Sequence, residues 1–206
     1  MRIVTLAAAA AFVFAGGAAQ AADSWTLAGA ESKVAYGSIK KNVIGEGNHF
    51  TQVSGTVSAA GAVEVVIDLL SVETFVDIRN ARMIEHVFGG GPTATLTAAI
   101  DMDALNALKP GDTTVVDVEG ALAFGGETVD VFTDMFVARL GDDRVMVTTD
   151  EMIMLEADEI EINPAIDTLK QLADLPGITR VAPVTLRLVF NRDVKKAAAG
   201  AAAQPG

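Results

Sequence analysis

The stretch TVVDVEGALAFGGETVDVFTDMFVARLGDDRVMVTT, residues 114–149, decides the fold class. It contains three runs, 114–124, 128–139 and 144–149, in which apolar and polar residues alternate. Because successive side chains of a strand point to opposite faces, this alternation is typical of strands with one dry face. Gly125-Gly126 and Gly141 separate the runs and allow tight turns at low steric cost. The stretch therefore predicts an antiparallel meander of three strands.

Similar alternating runs lie on both sides of the meander, at residues 33–38, 61–69, 95–100 and 183–190. Three segments with apolar residues three to four apart predict short helices instead, at residues 78–87, 101–108 and 164–175. Seven or eight strands with short turns indicate an all-β barrel or sandwich. We prefer a closed antiparallel barrel, because closure leaves no strand edge exposed.

The two ends of the chain differ from this body. Met1-Arg2 precede an apolar run at residues 3–14, and Ala19-Gln20-Ala21 fits the small-residue rule for cleavage. The run is shorter than the ~20 residues that span a bilayer. We interpret residues 1–21 as a signal peptide, which predicts a periplasmic protein without a stable membrane anchor. Residues 22–193 form the predicted barrel domain, and the alanine-rich residues 194–206 are predicted to be disordered.

Composition excludes several classes of function. The chain has 15 Lys and Arg against 27 Asp and Glu, a formal net charge of −12, which argues against nucleic acid as a partner. It has no cysteine, which excludes disulfide scaffolds and cysteine-ligated zinc.

Catalytic motifs are also absent from the sequence, so we predict a protein that is not an enzyme and needs no metal or cofactor. His49 and His86 are its two histidines, and a haem- or redox-associated module that uses them is the alternative hypothesis. The acidic residues between 150 and 161 alternate with apolar ones, which favours a solvated strand face over a calcium site.

Several short motifs, in their order along the chain, resemble the YceI-like family of exported lipid-binding proteins. The motifs are Trp25-Thr26-Leu27, Gly55-Thr56-Val57, VVID at 65–68 with SVET at 71–74, IRNARM at 78–83 with Val87-Phe88, and GALAFGG at 120–126 through Val131. The resemblance covers residues 24 to about 191. Two departures, the glycines after Phe88 and the step Gly91-Pro92, predict a different pocket rim and with it a different ligand.

The resemblance implies an eight-stranded, lipocalin-like barrel that holds an elongated amphiphile, such as an isoprenoid quinone or a polyprenyl compound. The residues agree, since Val, Ala and Gly are abundant and small inward side chains leave a channel in a barrel of this size. The predicted function is a periplasmic carrier that sequesters a long-chain isoprenoid or similar lipid. The resemblance also implies a homodimer.

Bulky or pliable apolar side chains near the predicted helices and strand ends are the candidates for ligand contact. They are Phe50, Phe75, Ile78, Met83, Phe88, Phe132, Met135 and Phe136. Alternation alone does not decide which strand face points inward. Arg79 and Arg82 are candidate headgroup partners, although ion pairs with Asp77 or Glu85 are the ordinary alternative. For the single Trp25 we expect a structural place at a closed end of the barrel.

Overall fold

The computed structural model describes residues 24–193. The predicted signal peptide and the predicted disordered tail both lie outside these residues. Among residues 24–193, no helix is both long and apolar enough to span a bilayer.

The described chain is mostly strand, with three short α-helices and two single 3-10 turns. The strands are β1 (Ser24–Leu27), β2 (Lys33–Lys40), β3 (Ile44–Phe50), β4 (Val53–Val57), β5 (Ala62–Asp68), β6 (Val72–Glu73), β7 (Thr93–Ala99), β8 (Thr113–Phe124), β9 (Glu127–Gly141), β10 (Arg144–Thr149), β11 (Ile153–Glu156) and β12 (Val181–Asp193). The helices are α1 (Asp77–His86), α2 (Met102–Asn106) and α3 (Asn163–Leu172). The predicted meander is therefore confirmed as β8, β9 and β10, and each predicted helix is present.

The strands close into an eight-stranded antiparallel barrel, as predicted. Its ring runs β1, β4, β5, β7, β8, β9, β10 and β12, and β12 pairs back with β1. The remaining strands extend the barrel beyond one end of this ring. The pairs β1/β2, β3/β4, β5/β6 and β10/β11 are consecutive along the chain, and the second strand of each pair follows the first after a short interruption.

The extended half of the barrel is not closed by hydrogen bonds all the way round. Within the described residues, residues 127–133 of β9 pair with β8 alone, and β11 pairs with β12 alone. We call the boundary between these two segments the seam. Helices α1 and α3 pack against each other at this end of the barrel, and α2 follows β7 at the opposite end.

The α2 end of the interior is built around Trp25, which lines the smaller cavity. Trp25 is buried there with 4% of its surface exposed, and the guanidinium groups of Arg139 and Arg192 lie over its ring, each 4.9 Å from the centroid. Such cation–π contacts are strongest in a desolvated setting. Burial and the like charge of Arg192 lower the pKa of Arg139. Trp25 is thus packed into the wall at the α2 end, and its structural rather than ligand-binding role stays a prediction.

Residues 44–57 form two strands for which the alternation analysis gave no prediction. The segment contains three glycines and follows the turn residues Lys41 and Asn42, both with positive φ. Glycines break the apolar–polar pattern because they bring no side chain to either face. Pairing with β2 and β5 makes the segment a strand, which local sequence does not reveal.

Gly61 is a position where substitution is expected to be costly. Its φ is +85°, and a Cβ there would lie 2.0 Å from the carbonyl oxygen of Ile100. Gly61→Ala is therefore expected to lower the free energy of unfolding by about 2 kcal/mol, measured by denaturant titration. Gly47→Ala is the matched control, because no atom lies within 4 Å of its added Cβ. Equal stability of the two variants would contradict the prediction.

Candidate functional site: a hollow barrel interior

The barrel interior contains two cavities. The larger, of about 470 Å³, lies under α1 and α3, and the smaller, of about 150 Å³, lies towards Trp25 and α2. The volume of the larger cavity falls within the ~300–1,000 Å³ of typical small-molecule sites. Four residues line both cavities, namely Leu96, Val131, Ile153 and Leu186. The cavities are therefore neighbours along one interior, separated by these side chains.

Aromatic rings form one wall of the larger cavity. Phe50 lies between Tyr36 and Phe88, with ring centroids 5.6 Å and 5.8 Å away, and Phe88 in turn lies 6.2 Å from Phe124 in an edge arrangement. All four side chains line the cavity. Such packing fixes the rings, so this wall keeps its shape without a ligand.

Helices α1 and α3 contribute the cover of this cavity. Ile78, Arg79, Arg82 and Met83 lie on one face of α1 and line the cavity, and Ile166 and Leu169 do so from α3. The turn before α1 is fixed by Asn80, whose Oδ1 accepts hydrogen bonds from the backbone N–H of Thr74 at 2.9 Å and from its hydroxyl at 2.5 Å. The start of the helix, and with it the placement of its arginines, is therefore held by side-chain contacts.

The paired strands β2 and β3 line the cavity with a gradient of polarity. Val34 pairs with Phe50, Tyr36 with Asn48, and Ser38 with Glu46, and all six side chains line the cavity. The series runs from apolar residues in the interior to a charged residue at the mouth. We call these three cross-strand pairs the ladder. Along it, the polarity of the cavity wall changes with depth.

The mouth carries an excess of positive charge. The Glu46 carboxylate accepts from Lys40 Nζ at 2.5 Å and from Arg79 Nη1 at 2.8 Å. Lys41, Arg82 and Arg180 also line the cavity, and Glu46 is the one acidic residue among its lining residues. Arg180 is paired with Asp167 at 2.6 Å, whereas no carboxylate of the described residues lies within ion-pair distance of Arg82. A chain of net charge −12 thus gathers cations at this opening.

Two polar groups inside the mouth have no hydrogen-bond partner. The hydroxyl of Tyr36 and the side-chain oxygen of Asn48 are both buried and unbonded, and Asn48 is only 4% exposed. Burial raises the pKa of the Tyr36 phenol well above its usual range, and the nearby Arg79 opposes this effect only partly. The phenol therefore stays protonated at neutral pH.

Most of the residues predicted from the sequence line the interior. Phe50, Ile78, Met83, Phe88, Arg79 and Arg82 line the larger cavity, and Met135 lines the smaller one. Arg79 pairs with Glu46 rather than with Asp77 or Glu85. Whether these side chains contact a ligand stays a prediction.

Phe132, Phe136 and Phe75 line neither cavity, so their predicted place in the interior is corrected. Phe132 is 70% exposed on the outer face of β9, and Phe136 shares that face because strand side chains alternate. Phe75 is 74% exposed in the turn before α1, with φ of 61°, and its ring lies 5.6 Å from that of His49. The hydrogen bond from the Phe75 N–H, together with Asn80, lowers the pKa of Glu73 in the same turn.

The two histidines are not brought into the interior. His49 points to the opposite face of β3 from Asn48 and Phe50, and His86 ends α1 with Nε2 3.7 Å from the Glu85 carboxylate. Neither lines a cavity. Residues 24–193 hold no group of three or more His, Asp or Glu side chains that could bind a metal.

Sequence reasoning did not find Tyr36, Asn48, Lys40 or Glu46. A signal for two of them was present, because Glu46 and Asn48 precede Phe50 at intervals of two and so share its strand face. Gly45 and Gly47, which flank Glu46, obscured this pattern.

Comparison with known proteins agrees with this geometry. No protein-family model and no curated protein matches the chain. Among solved structures, a polyisoprenoid-binding domain from Saccharophagus degradans implicated in plant cell wall breakdown is 32% identical, with a TM-score of 0.80 over 82% of this chain and 98% of that one.

Two more distant structures share the fold. BcnA of Burkholderia cenocepacia is 18% identical, with a TM-score of 0.61 over 79% of this chain and 98% of that one. The YceI protein of Campylobacter jejuni is 14% identical, with a TM-score of 0.50 over 71% of this chain and 84% of that one. Given its identity with the Saccharophagus domain and the closed eight-stranded barrel, the chain belongs to the YceI-like family.

Proposed function

We propose that this protein is a non-enzymatic periplasmic carrier or store that holds a long-chain isoprenoid, quinone-like or polyprenyl-like, inside its barrel. The observation that carries the proposal is the apolar interior, with a cavity of about 470 Å³ next to one of about 150 Å³. The related Saccharophagus domain, which is a polyisoprenoid-binding domain, supports an isoprenoid as the ligand class. Export rests on the signal peptide predicted at residues 1–21, and a homodimer stays a prediction.

Burial of the hydrocarbon tail supplies enough free energy for useful affinity. Each CH2-sized unit removed from water contributes about 0.8 kcal/mol, so about fifteen carbons contribute about 12 kcal/mol. Association costs at least about 4 kcal/mol in lost freedom. The remainder, at most about 8 kcal/mol, corresponds to a dissociation constant no lower than about 1 μM without any charged contact.

Arg79 and Arg82 are our proposed partners for the headgroup. Both line the mouth from α1, and their guanidinium groups can donate several hydrogen bonds in a fixed plane. Arg79 is already bonded to Glu46, so Arg82 is the freer donor of the two. The tail would then extend past Phe50 and Phe88 into the interior.

Recovery of the bound lipid tests the proposal. The full chain is expressed with its first 21 residues, purified without detergent and extracted with organic solvent, and the extract is analysed by mass spectrometry. We expect one class of isoprenoid at close to one molecule per protein. An exported protein of similar size, purified in parallel, controls for adhering membrane lipid. Repeated extraction of no amphiphile, or of the same lipids from both proteins, would overturn the proposal.

A further inference from the structure

Tyr36 and Asn48 occupy a distinct level of the larger cavity. They are cross-strand partners on β2 and β3, so their Cβ atoms lie about 5 Å apart on the inward face. The ion-paired Glu46 lies one step towards the mouth, and Phe50 lies one step deeper. The pair is thus the last polar step before the apolar interior.

Their missing hydrogen bonds need an explanation. Tyr36 Oη and Asn48 Oδ1 are buried and lack a partner, although buried polar groups in proteins are nearly always bonded. The two groups are also complementary in what they offer, since the protonated phenol can donate and the amide can accept or, when flipped, donate. One ligand oxygen placed between them can bond to both.

The charges around the pair argue against an anion at this depth. Lys40 and Arg79 are the cations that form ion pairs with the ladder, and both do so at Glu46. A buried anion without a free cation would carry a large desolvation cost. An uncharged oxygen avoids this cost and still satisfies both side chains.

We propose that Tyr36 and Asn48 form a neutral headgroup subsite, which takes an uncharged hydroxyl or carbonyl oxygen at the end of the isoprenoid chain. The inference rests on the proposed function and narrows its ligand class. It selects prenols or quinone-like compounds over pure hydrocarbons, which have no oxygen to offer, and over phosphorylated chains, whose charge belongs at the mouth.

Three ligands with one carbon skeleton test the subsite. Delipidated protein is equilibrated with equal amounts of phytanol, phytane and phytanyl phosphate, and the retained ligands are quantified by chromatography. For the unmodified protein we expect phytanol to be retained about tenfold over phytane, the effect of two ordinary hydrogen bonds. Tyr36→Phe and Asn48→Leu should each reduce this ratio by about threefold, because each removes one bond and little volume.

Asn191→Leu is the matched control, since Asn191 is exposed on β12 and lines neither cavity. It should leave the retention ratio unchanged. Stability measured without ligand separates a binding role from a structural one, because removing an unbonded hydroxyl in Tyr36→Phe should not destabilise the free protein. If Tyr36→Phe folds poorly, Asn48→Leu still tests the subsite independently.

The outcomes separate the two proposals. Retention of phytanol and phytane in equal amounts, or a ratio that neither variant changes, would overturn the subsite while the carrier function stands. Preferential retention of phytanyl phosphate would overturn it too and would leave Arg79 and Arg82 as the only proposed partners of the headgroup. Retention of none of the three ligands would overturn both proposals.

Discussion

Val131→Trp is expected to remove high-affinity binding of long isoprenoid chains while the barrel still folds. Val131 lies on the inward face of β9, lines both cavities, and pairs across the sheet with Gly120, which has no side chain. An indole at this position would fill the junction between the cavities. If about four CH2-sized units of the tail are excluded, the loss is about 3 kcal/mol, or more than a hundredfold in affinity.

The measurement is the dissociation constant for a series of prenols of increasing length. Short prenols that stay within the larger cavity should bind almost as before, whereas long ones should lose affinity. Val115→Trp makes the same substitution on the outer face of β8, where Val115 is 48% exposed. It should change the affinity for neither short nor long prenols. A uniform loss at every length would contradict this account, because it would indicate that the whole interior had been disturbed.

Trp25→Ala is expected to have the largest effect on stability, a loss of about 3–5 kcal/mol in the free energy of unfolding. The indole is almost fully buried and lines the smaller cavity. Its removal leaves a void at the α2 end of the interior. It also removes the ring over which the guanidinium groups of Arg139 and Arg192 lie. The two positively charged guanidinium groups would then share a partly desolvated site without the aromatic ring that stabilises them.

Denaturant titration followed by far-ultraviolet circular dichroism measures this loss, since Trp25 is the only tryptophan and fluorescence would vanish with it. Trp25→Phe is the control, because a smaller ring keeps part of the packing and should lose about half as much. A Trp25→Ala variant as stable as the unmodified protein would show that the α2 end tolerates the void.

The sequence predicted those strands in which apolar and polar side chains alternate. It did not predict the strands that form only because neighbouring strands pair with them. The run at residues 144–149 coincides with β10, and Gly125 and Gly126 form the expected hairpin turn with φ of 61° and 105°. Residues 44–57 became strands through their neighbours β2 and β5 rather than through their own pattern. Local periodicity carries no information on such long-range pairing.

The candidate site was predictable only in part for a related reason. Alternation groups Met135 with Val137 and separates them from Phe132 and Phe136, but it does not say which group faces the interior. The structure decides this through barrel closure, which turned Met135 inward and Phe132 outward. The unbonded pair Tyr36 and Asn48 is a property of two strands in register, so neither strand alone indicates it.

The seam between β9 and β11 bears on how the proposed ligand would enter and leave the barrel. Within residues 24–193 no strand pairing joins the two segments there, and Val131, Ile153 and Leu155 from these segments line the larger cavity. Parting the wall at this place breaks no main-chain hydrogen bond, whereas the ring that ends at Trp25 is bonded all the way round. In the proposed carrier, a ligand that entered or left at the seam would therefore leave the hydrogen-bonded ring at the other end intact.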